Sequence, residues 1–475
     1  MTQASLFDKA FIAARLVTML RLGVTVISLL SQVVLARLLV PEAFGKMAFL
    51  LFVLELAGRV MSLQSENGII REQQNANHAL HAYFTIEGLL TATAALLLVF
   101  LGPGFMSVLD KPDLGLPIQI AGFLLILRWL RTPLILAKKE LDFRQVTHIT
   151  LAGEIAKPLV SIGLAWLGFG FWSLFWGMVA YESVQTAMIW LKTPYRPQWV
   201  FEKDRLRDMI RFAWPLTLSG FLSYWYWRID DFWVGKLLGD EQLGYYWMAF
   251  TIPHAILAYV ENLDRVTYPA FAKAENDDQL LKGFAIITRF SALILLFPCL
   301  VSLLWATPII TLMFGAKWLP AVVPFQIFMG LIVFRGTFRH WANIAILKGH
   351  THIFLKVVAA SAILVTVLAY GLTPQYGITG TAWAVVVAML AVSPIYFIWF
   401  KLHYNIRYWH MLWQPAMIAI VTFLFGLSLS TLFNNIQITG LFVQILCTSL
   451  FYLFCIWVFD RSSFNLVRNR LKWVS

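Results

Sequence analysis

Two pairs of arginines lie in long apolar stretches of the chain. Arg128 and Arg131 are three residues apart, and Arg335 and Arg339 are four apart, with Asn343 a further four residues on. In a helix these spacings place each pair on one face, and no acidic residue accompanies either pair in its own stretch. Because guanidinium is planar and always charged, it binds phosphate through two parallel hydrogen bonds. These residues are therefore candidates for binding an anion inside a water-filled cavity.

Two other interpretations of the arginine pairs stay open. The guanidinium groups could form ion pairs with carboxylates of other helices, for which Glu87, Glu154 and Glu182 are available. They could instead extend toward the cytoplasmic rim of a membrane, as long cationic side chains near helix ends do. The sequence does not choose among the three.

The acidic residues Glu55 and Glu182 are candidates for coupling transport to an ion gradient. Both lie near the middle of apolar stretches, where ionisable groups normally face protein or water. Glu55 is followed by Arg59 at four residues, and Glu154 by Lys157 at three, so each pair can neutralise itself on one helix face. A local Glu55–Arg59 ion pair would weaken Glu55 as a coupling site. Arg59 is also a candidate cavity residue.

A third candidate site is the segment 224–231, which reads Tyr-Trp-Tyr-Trp-Arg-Ile-Asp-Asp. Aromatic faces stack on the apolar faces of sugar rings, and the adjacent Arg228 and Asp231 could hydrogen-bond sugar hydroxyls. The alternative is an aromatic belt at the outer membrane interface, where Trp and Tyr collect. Both interpretations remain open.

Apolar helices must position all these side chains. The chain of 475 residues is 60% hydrophobic and 13% charged, whereas charged residues are about a quarter of ordinary globular chains. We predict an all-α, polytopic membrane protein with about 14 transmembrane helices, each spanning roughly 20 residues. The predicted spans 1 to 14 are 14–38, 46–65, 79–101, 116–137, 146–168, 171–191, 208–235, 243–264, 283–306, 321–346, 353–373, 378–400, 411–433 and 438–459.

The basic residues alternate strongly between the two sides of these spans. The side with the N-terminus and the loops after even-numbered spans holds 23 Lys and Arg, and the opposite side holds five. By the positive-inside rule, both termini are predicted to be cytoplasmic. The five cations of the outer side are Arg37, Lys46, Lys111, Lys236 and Lys317.

A repeated turn indicates an internal duplication. The stretches 35–45 and 234–244 share the pattern L-L-x-x-E-x-x-G, and each lies between two apolar spans. Because six spans separate the copies, spans 1–6 and 7–12 are predicted to be parallel repeats that rock about a central site, as in transporters. The repeat forms a hinge motif of mainly structural role, in which glycine permits a tight turn and the carboxylate lies near a helix N-terminus. Its residues are Glu42, Gly45, Glu241 and Gly244.

Two motifs carry a family resemblance. The first is Arg37-Leu-Leu-Val-Pro-Glu-Ala-Phe-Gly45, and the second runs from Arg228-Ile-Asp230 through Gly235, Leu238-Gly239 and Leu243-Gly244 to Tyr246. Over about residues 10–400 the chain resembles polysaccharide transporters, the oligosaccharide flippases of the superfamily that includes multidrug-and-toxin extrusion proteins and the lipid II flippase. The resemblance implies two six-helix lobes in an inverted V and two accessory helices. We expect an N-terminal lobe at 1–195, a C-terminal lobe at 196–405 and accessory helices with a cytoplasmic tail at 406–475.

The resemblance also implies a function. Its members move undecaprenyl-pyrophosphate-linked oligosaccharides across the bacterial inner membrane by alternating access, for O-antigen, capsule or exopolysaccharide synthesis. We expect a positive cavity between the lobes, lined by spans 1, 2, 7 and 8 with contributions from 4 and 10. Spans 13 and 14, which lack charge, are candidates for an apolar groove that takes the polyprenyl tail. Expected partners are the lipid-linked glycan and membrane lipids, with a polymerase and a chain-length regulator as candidates. No nucleic acid, cofactor or metal is expected.

Two other functions are alternatives. A multidrug or ion antiporter of the same superfamily would favour an acidic pocket for cationic drugs, whereas the charges in these spans are balanced or basic. A polysaccharide polymerase or ligase would need a large outer loop with catalytic residues. The longest predicted outer loop, about 102–115, is short, so we predict that the protein is not an enzyme.

Overall fold

The computed structural model describes residues 23–62, 76–140, 142–193, 195–404, 409–432 and 438–460. Helices make up most of the described part of every predicted span, which confirms the all-α class. The start of span 1 and the tail after residue 460 lie outside the described residues. The helices are α1 (Gly23–Leu38), α2 (Pro41–Val60), α3 (Ala76–Phe100), α4 (Gly102–Val108), α5 (Gly115–Trp129), α6 (Leu134–Lys139), α7 (Phe143–Trp166), α8 (Phe171–Lys192), α9 (Lys203–Leu238), α10 (Asp240–Ala272), α11 (Asp277–Phe314), α12 (Val322–Leu347), α13 (Thr351–Tyr404), α14 (Trp409–Leu432) and α15 (Ile438–Phe459).

Seven helical segments within the described residues are long and apolar enough to cross a bilayer. The protein is therefore a multi-pass membrane protein, in which helices satisfy their backbone hydrogen bonds without water. That all fourteen spans cross the membrane stays a prediction. The seven segments are Leu80–Phe100, Arg144–Trp166, Asp277–Phe314, Ala316–Leu347, Thr351–Tyr404, Met411–Leu432 and Thr439–Phe459.

The described residues form two compact units. Unit 1 consists of the described residues within Met1–Trp247 and Val365–Ile378, and unit 2 consists of those within Met248–Leu364 and Thr379–Ser475. Most candidate residues belong to unit 1, whereas Arg335, Arg339 and Asn343 belong to unit 2. Packing defines these units and the repeated sequence defines the predicted lobes, so the lobe boundaries stay a prediction.

Within unit 1 the two repeated turns pack against each other. A Cβ atom on Gly45 would lie 1.7 Å from the carbonyl oxygen of Asp240, and one on Gly244 would lie 1.9 Å from that of Pro41. Neither position has room for a side chain, so close packing of the two turns requires glycine at both. The glutamates of the motif are also placed alike, because Glu42 pairs with Lys46 at 2.8 Å and Glu241 accepts a hydrogen bond from Tyr245 at 2.8 Å, each four residues on.

Within unit 2 the two predicted accessory spans, α14 and α15, pack on α11. The hydroxyl of Tyr452 donates to the carbonyl oxygen of Leu293 at 2.7 Å. Arg289 Nε lies 3.1 Å from a carboxylate oxygen of Asp460, the buried residue that follows α15. These polar contacts fix one side of an otherwise apolar helix pair.

Candidate substrate-binding site

A cavity of about 600 Å³ lies within unit 1. Its walls come from α2, α3, α5 and α6, which belong to spans 2, 3 and 4. In the described part of the chain, spans 1, 7, 8 and 10 contribute none of its lining residues, so the predicted cavity between the lobes stays a prediction. Aromatic side chains of Tyr83 and Trp129 also line it. The ionisable residues of its lining are Glu55, Arg59, Glu87, Arg128, Arg131 and Lys138.

The arginine pair of span 4 lies at a helix break. The sequence predicts one helix over 116–137, but α5 ends at Trp129 and α6 begins at Leu134, so that continuity is wrong. Pro133 explains the break, because proline has no backbone N–H and disfavours helical conformation in the residue before it. The backbone between the two helices tightens to three-residue hydrogen bonds, such as Arg131 N to Arg128 O at 3.1 Å.

The break leaves two backbone carbonyl groups without a backbone N–H donor, and side chains of α8 donate hydrogen bonds to them. The hydroxyl of Thr186 donates to the carbonyl oxygen of Leu127 at 2.9 Å. The indole N–H of Trp190 donates to the carbonyl oxygen of Leu130 at 3.0 Å. In a continuous helix these two carbonyls would accept from the backbone four residues on, so α8 compensates for the break.

The same face of α8 also holds the two arginines. Arg128 Nε donates to Glu182 Oε1 at 2.7 Å. Arg131 Nη1 donates to Gln185 Oε1 at 2.6 Å, and its Nη2 lies 3.1 Å from Glu182 Oε2, an ion-pair distance without hydrogen-bond geometry. The Glu182 side chain is only 3% exposed. The interhelical ion pair, one of the three interpretations of this arginine pair, is therefore present with Glu182.

Glu55 is the second carboxylate on Arg128. Its Oε1 lies 2.5 Å from Arg128 Nη1, and its side chain is 32% exposed toward the cavity. Among the described residues no ion pair within 4 Å involves Arg59, so the predicted Glu55–Arg59 pair is absent. Lys157 interacts with Glu154 only at longer range. Glu55 on α2 instead pairs with Arg128 of α5. The spacing of residues along α2 cannot indicate a partner on another helix.

Arg59 lies over an aromatic ring instead. Its guanidinium carbon is 5.1 Å from the ring centre of Tyr224, a cation–π distance. The buried Nε of Arg59 has no hydrogen-bond partner in the described part of the chain. Tyr224 is oriented by its hydroxyl, which donates to the carbonyl oxygen of Phe52 at 3.3 Å. Arg59 is thus a cavity cation with no carboxylate within 4 Å among the described residues.

The other candidates of segment 224–231 lie outside the cavity lining. Arg228 pairs with Asp231 at 3.0 Å along α9, and the buried Tyr246 donates to Asp230 at 2.7 Å. Trp225 donates its indole N–H to Thr366 at 3.1 Å, which also lies in unit 1. Local partners therefore engage these polar groups, and a role in sugar binding stays a prediction.

The second arginine pair lies on α12 in unit 2 and does not line this cavity. Arg335 is buried, Arg339 is exposed and Asn343 is partly buried on a continuous helix. The structure thus separates two pairs whose spacing in sequence is nearly the same.

Sequence reasoning missed the polar face of α8. Glu182 is a candidate there, but Gln185, Thr186 and Trp190 are not. The signal is present, because residues 182, 185 and 186 follow helical spacing. What the sequence does not indicate is the partner of this face, which is the break at Pro133.

A multi-pass helical bundle with a cation-rich cavity is the class of protein that these features define. Residues 34–323 match the family model described as polysaccharide biosynthesis protein. The chain belongs to this family.

Individual relatives agree with the family. The succinoglycan biosynthesis transport protein ExoT of Rhizobium meliloti is 22% identical over 291 residues, which cover 60% of this chain and 58% of ExoT. The teichuronic acid biosynthesis protein TuaB of Bacillus subtilis is 28% identical over 295 residues, which cover 58% of this chain and 59% of TuaB. The matches thus span somewhat less than two thirds of these relatives.

A solved structure extends the fold similarity to almost the whole chain. The lipid II flippase MurJ, in an inward closed conformation, aligns with a TM-score of 0.71 at 13% identity. The alignment covers 94% of this chain and 98% of that one. At this identity the similarity concerns the fold, which is MurJ-like.

Proposed function

We propose that this protein is a flippase that moves a polyprenyl-pyrophosphate-linked oligosaccharide across the bacterial inner membrane for polysaccharide synthesis. Membership of a polysaccharide biosynthesis family and the names of its relatives, a succinoglycan transport protein among them, support the substrate class. The MurJ-like fold supports movement of a lipid-linked substrate. The protein acts by binding and conformational change, without covalent chemistry.

The observation that carries the proposal is the state of Arg59 in the cavity. Arg128 already contacts two carboxylates and Arg131 contacts one, whereas Arg59 has only the ring of Tyr224. A guanidinium with an open hydrogen-bonding edge is suited to a pyrophosphate oxygen. In this proposal Arg59 is the first cation to bind the head group.

The two carboxylates on Arg128 then have different roles. Glu182 is buried behind the arginines and orients them in the absence of substrate. Glu55 faces the cavity, so an incoming phosphate competes with it for Arg128. Of the two candidates for ion coupling, Glu55 is the one that can exchange partners during transport.

The basic lining also bears on the alternative functions. Four cations line the cavity against two carboxylates, with Glu182 behind them as a third. A multidrug antiporter for cationic drugs is therefore not favoured. The proposed transport cycle alternates access between the lobes 1–195 and 196–405, with both termini cytoplasmic. The helices of region 406–475 guide the polyprenyl tail along their apolar surfaces.

The test compares head-group binding by Arg59→Gln and by Arg339→Gln. Farnesyl pyrophosphate serves as the probe, and its affinity for the purified protein in detergent is measured by titration calorimetry. Loss of one charge-assisted phosphate contact is expected to weaken binding at least about tenfold in Arg59→Gln, since such bonds contribute about 1.5–3 kcal/mol. Arg339→Gln, on the exposed surface of α12, is the matched control and is expected to bind like the parent.

A translocation assay completes the test. Proteoliposomes loaded with a lipid-linked oligosaccharide are expected to lose most of their translocation when they carry Arg59→Gln. Full binding and full translocation by Arg59→Gln would contradict the proposed role of Arg59. Full binding of farnesol by the parent, with no preference for the pyrophosphate, would contradict the anionic head-group site itself.

A further inference from the structure

Three lysine–aspartate pairs join the repeated turns to the segment 108–113 in unit 1. We call these six residues the latch: Lys46, Lys111, Lys236, Asp110, Asp113 and Asp240. All three of its lysines are among the five cations that the sequence predicts on the outer side of the membrane. The central pair is Lys111–Asp240, with Nζ 2.5 Å from Oδ1 and side chains only 9% and 14% exposed.

The other two pairs flank the central one. Lys236, near the end of α9, bonds Asp110 and also donates to the carbonyl oxygen of Val108 at 3.3 Å. Lys46 on α2 reaches Asp113 at 3.3 Å. Segment 108–113 therefore contacts both copies of the repeat, one through Lys46 and the other through Lys236 and Asp240.

The latch holds its segment in an unusual backbone conformation. Asp110 has a φ of 60°, and it is the single non-glycine residue with positive φ in the described part of the chain. Aspartate is among the few residues that tolerate this conformation. The hydrogen bond from Lys236 lowers the pKa of the Asp110 carboxyl, which keeps this residue charged at ordinary pH. A strained residue that is fixed by an ion pair is typical of an element with a second arrangement.

We infer that the latch is a gate at the outer end of the transport path. It forms when the repeated turns pack through Gly45 and Gly244, and its pairs must break before the turns can separate. Two of the pairs, Lys111–Asp240 and Lys236–Asp110, connect the predicted N-terminal lobe with the predicted C-terminal lobe, whereas Lys46–Asp113 lies within the N-terminal one. This inference goes beyond the proposed substrate site and rests on the proposed topology, in which segment 108–113 faces the outside.

The experiment measures access to the cavity rather than transport. The native cysteines are replaced by alanine, and Thr91→Cys, which lines the cavity, reports labelling by a membrane-impermeant methanethiosulfonate applied to one face of the membrane. A second reporter, Ser107→Cys, lies on an exposed position beside the latch and marks the face on which the latch lies. Each protein is checked for folding by its melting temperature.

We expect slow labelling of the Thr91→Cys reporter from the latch face in the otherwise unaltered protein. Combined Lys111→Gln and Lys236→Gln are expected to accelerate it about tenfold, because the population of the open state rises when closed-state contacts are lost. Lys317→Gln removes another predicted outer cation, outside the latch, and is the matched control with an unchanged rate. Should the double variant not fold, Lys236→Gln alone removes the pair with the exposed Asp110 and is expected to give about threefold acceleration.

Charge exchange separates a gate from a general loosening. Lys236→Asp alone should accelerate labelling, and Lys236→Asp with Asp110→Lys should return the rate to within about twofold of the parent, as coupled charge pairs do in double-mutant cycles. An unchanged rate in every latch variant, or no recovery on charge exchange, would overturn the inference. Labelling of the Ser107→Cys reporter from the cytoplasmic face alone would instead refute the proposed topology. Labelling of the Thr91→Cys reporter from the cytoplasmic face would then test the gate.

Discussion

The arginines at the α5–α6 break and the arginines of α12 have nearly the same spacing but different surroundings. On α12 the helix is continuous from Val322 to Leu347, and Arg335 is buried while Arg339 is exposed. At the α5–α6 break both arginines face a cavity and contact Glu182 of α8. Spacing along a helix selects a face, whereas the break and the polar face of a neighbouring helix determine what that face can bind.

The break matters because it provides extra hydrogen-bonding groups at the same place as the charges. Thr186 and Trp190, about one and two helical turns from Glu182, donate to the carbonyls that the break leaves without a backbone donor, and Glu182 binds the arginines. On α12 the corresponding carbonyls stay inside the helix, and Thr337 merely adds a bond to Val333 O at 2.6 Å. Unit 1 thus has arginines held by the side chains of α8, and α12 has arginines on a regular helix.

The largest effect is expected when the buried counter-ion of the arginine site is removed. Glu182→Gln leaves two guanidinium groups without their shared carboxylate, and breaking a buried ion pair costs about 3–5 kcal/mol. We expect a decrease of the free energy of unfolding near the lower limit, about 3 kcal/mol, because Glu55 remains on Arg128. The melting temperature in detergent measures it.

Glu55→Gln is the matched control for this prediction. Its carboxylate is about one third exposed, so its removal should cost about 1 kcal/mol or less. Equal losses of stability in Glu182→Gln and Glu55→Gln would show that burial does not distinguish the two carboxylates. The division between a fixed and an exchangeable counter-ion would then be wrong.

A smaller effect tests the break itself. Thr186→Val removes the donor to Leu127 O and leaves a carbonyl that no backbone N–H replaces, so we expect a loss of about 1 kcal/mol. Thr337→Val removes a hydroxyl whose acceptor, Val333 O, already belongs to a continuous helix, so we expect a change below about 0.5 kcal/mol. The two substitutions have the same chemistry, and thermal unfolding of both variants gives the comparison. A larger loss from Thr337→Val would contradict the proposed role of the break.

The sequence predicted the fold well because apolar length is a direct physical requirement of the bilayer. Helices make up most of each predicted span in the described residues, apart from the break in span 4, and the repeated glycines already indicated a tight turn. The ion pairs were less predictable. The prediction of a Glu55–Arg59 ion pair was wrong, because charged side chains of other helices compete for Glu55 with the residue four positions along its own helix. Arg128 lies 73 residues from Glu55 along the chain and nevertheless forms the ion pair with it. A single sequence contains no signal for that contact.

The smallest effect on stability is expected for a solvent-exposed ion pair in unit 2. Lys348, directly after α12, lies 2.6 Å from Asp277, and their side chains are 40% and 58% exposed. The hydrogen bond to Asp277 raises the pKa of Lys348. Because the pKa is higher in the folded protein, the pair stabilises it fully below the pKa of an unfolded lysine. The contribution disappears as the pH rises through the folded value.

Exposure limits that contribution to about 0.5 kcal/mol at neutral pH, and salt should reduce it further. Lys348→Gln should therefore shift the melting temperature only slightly at pH 7, and less in high salt. At strongly alkaline pH the parent and the variant should melt together. A loss as large as that of Glu182→Gln would mean that distance alone, rather than burial, determines the strength of these ion pairs. The contrast between the arginine site and the helices of unit 2 would then need another explanation.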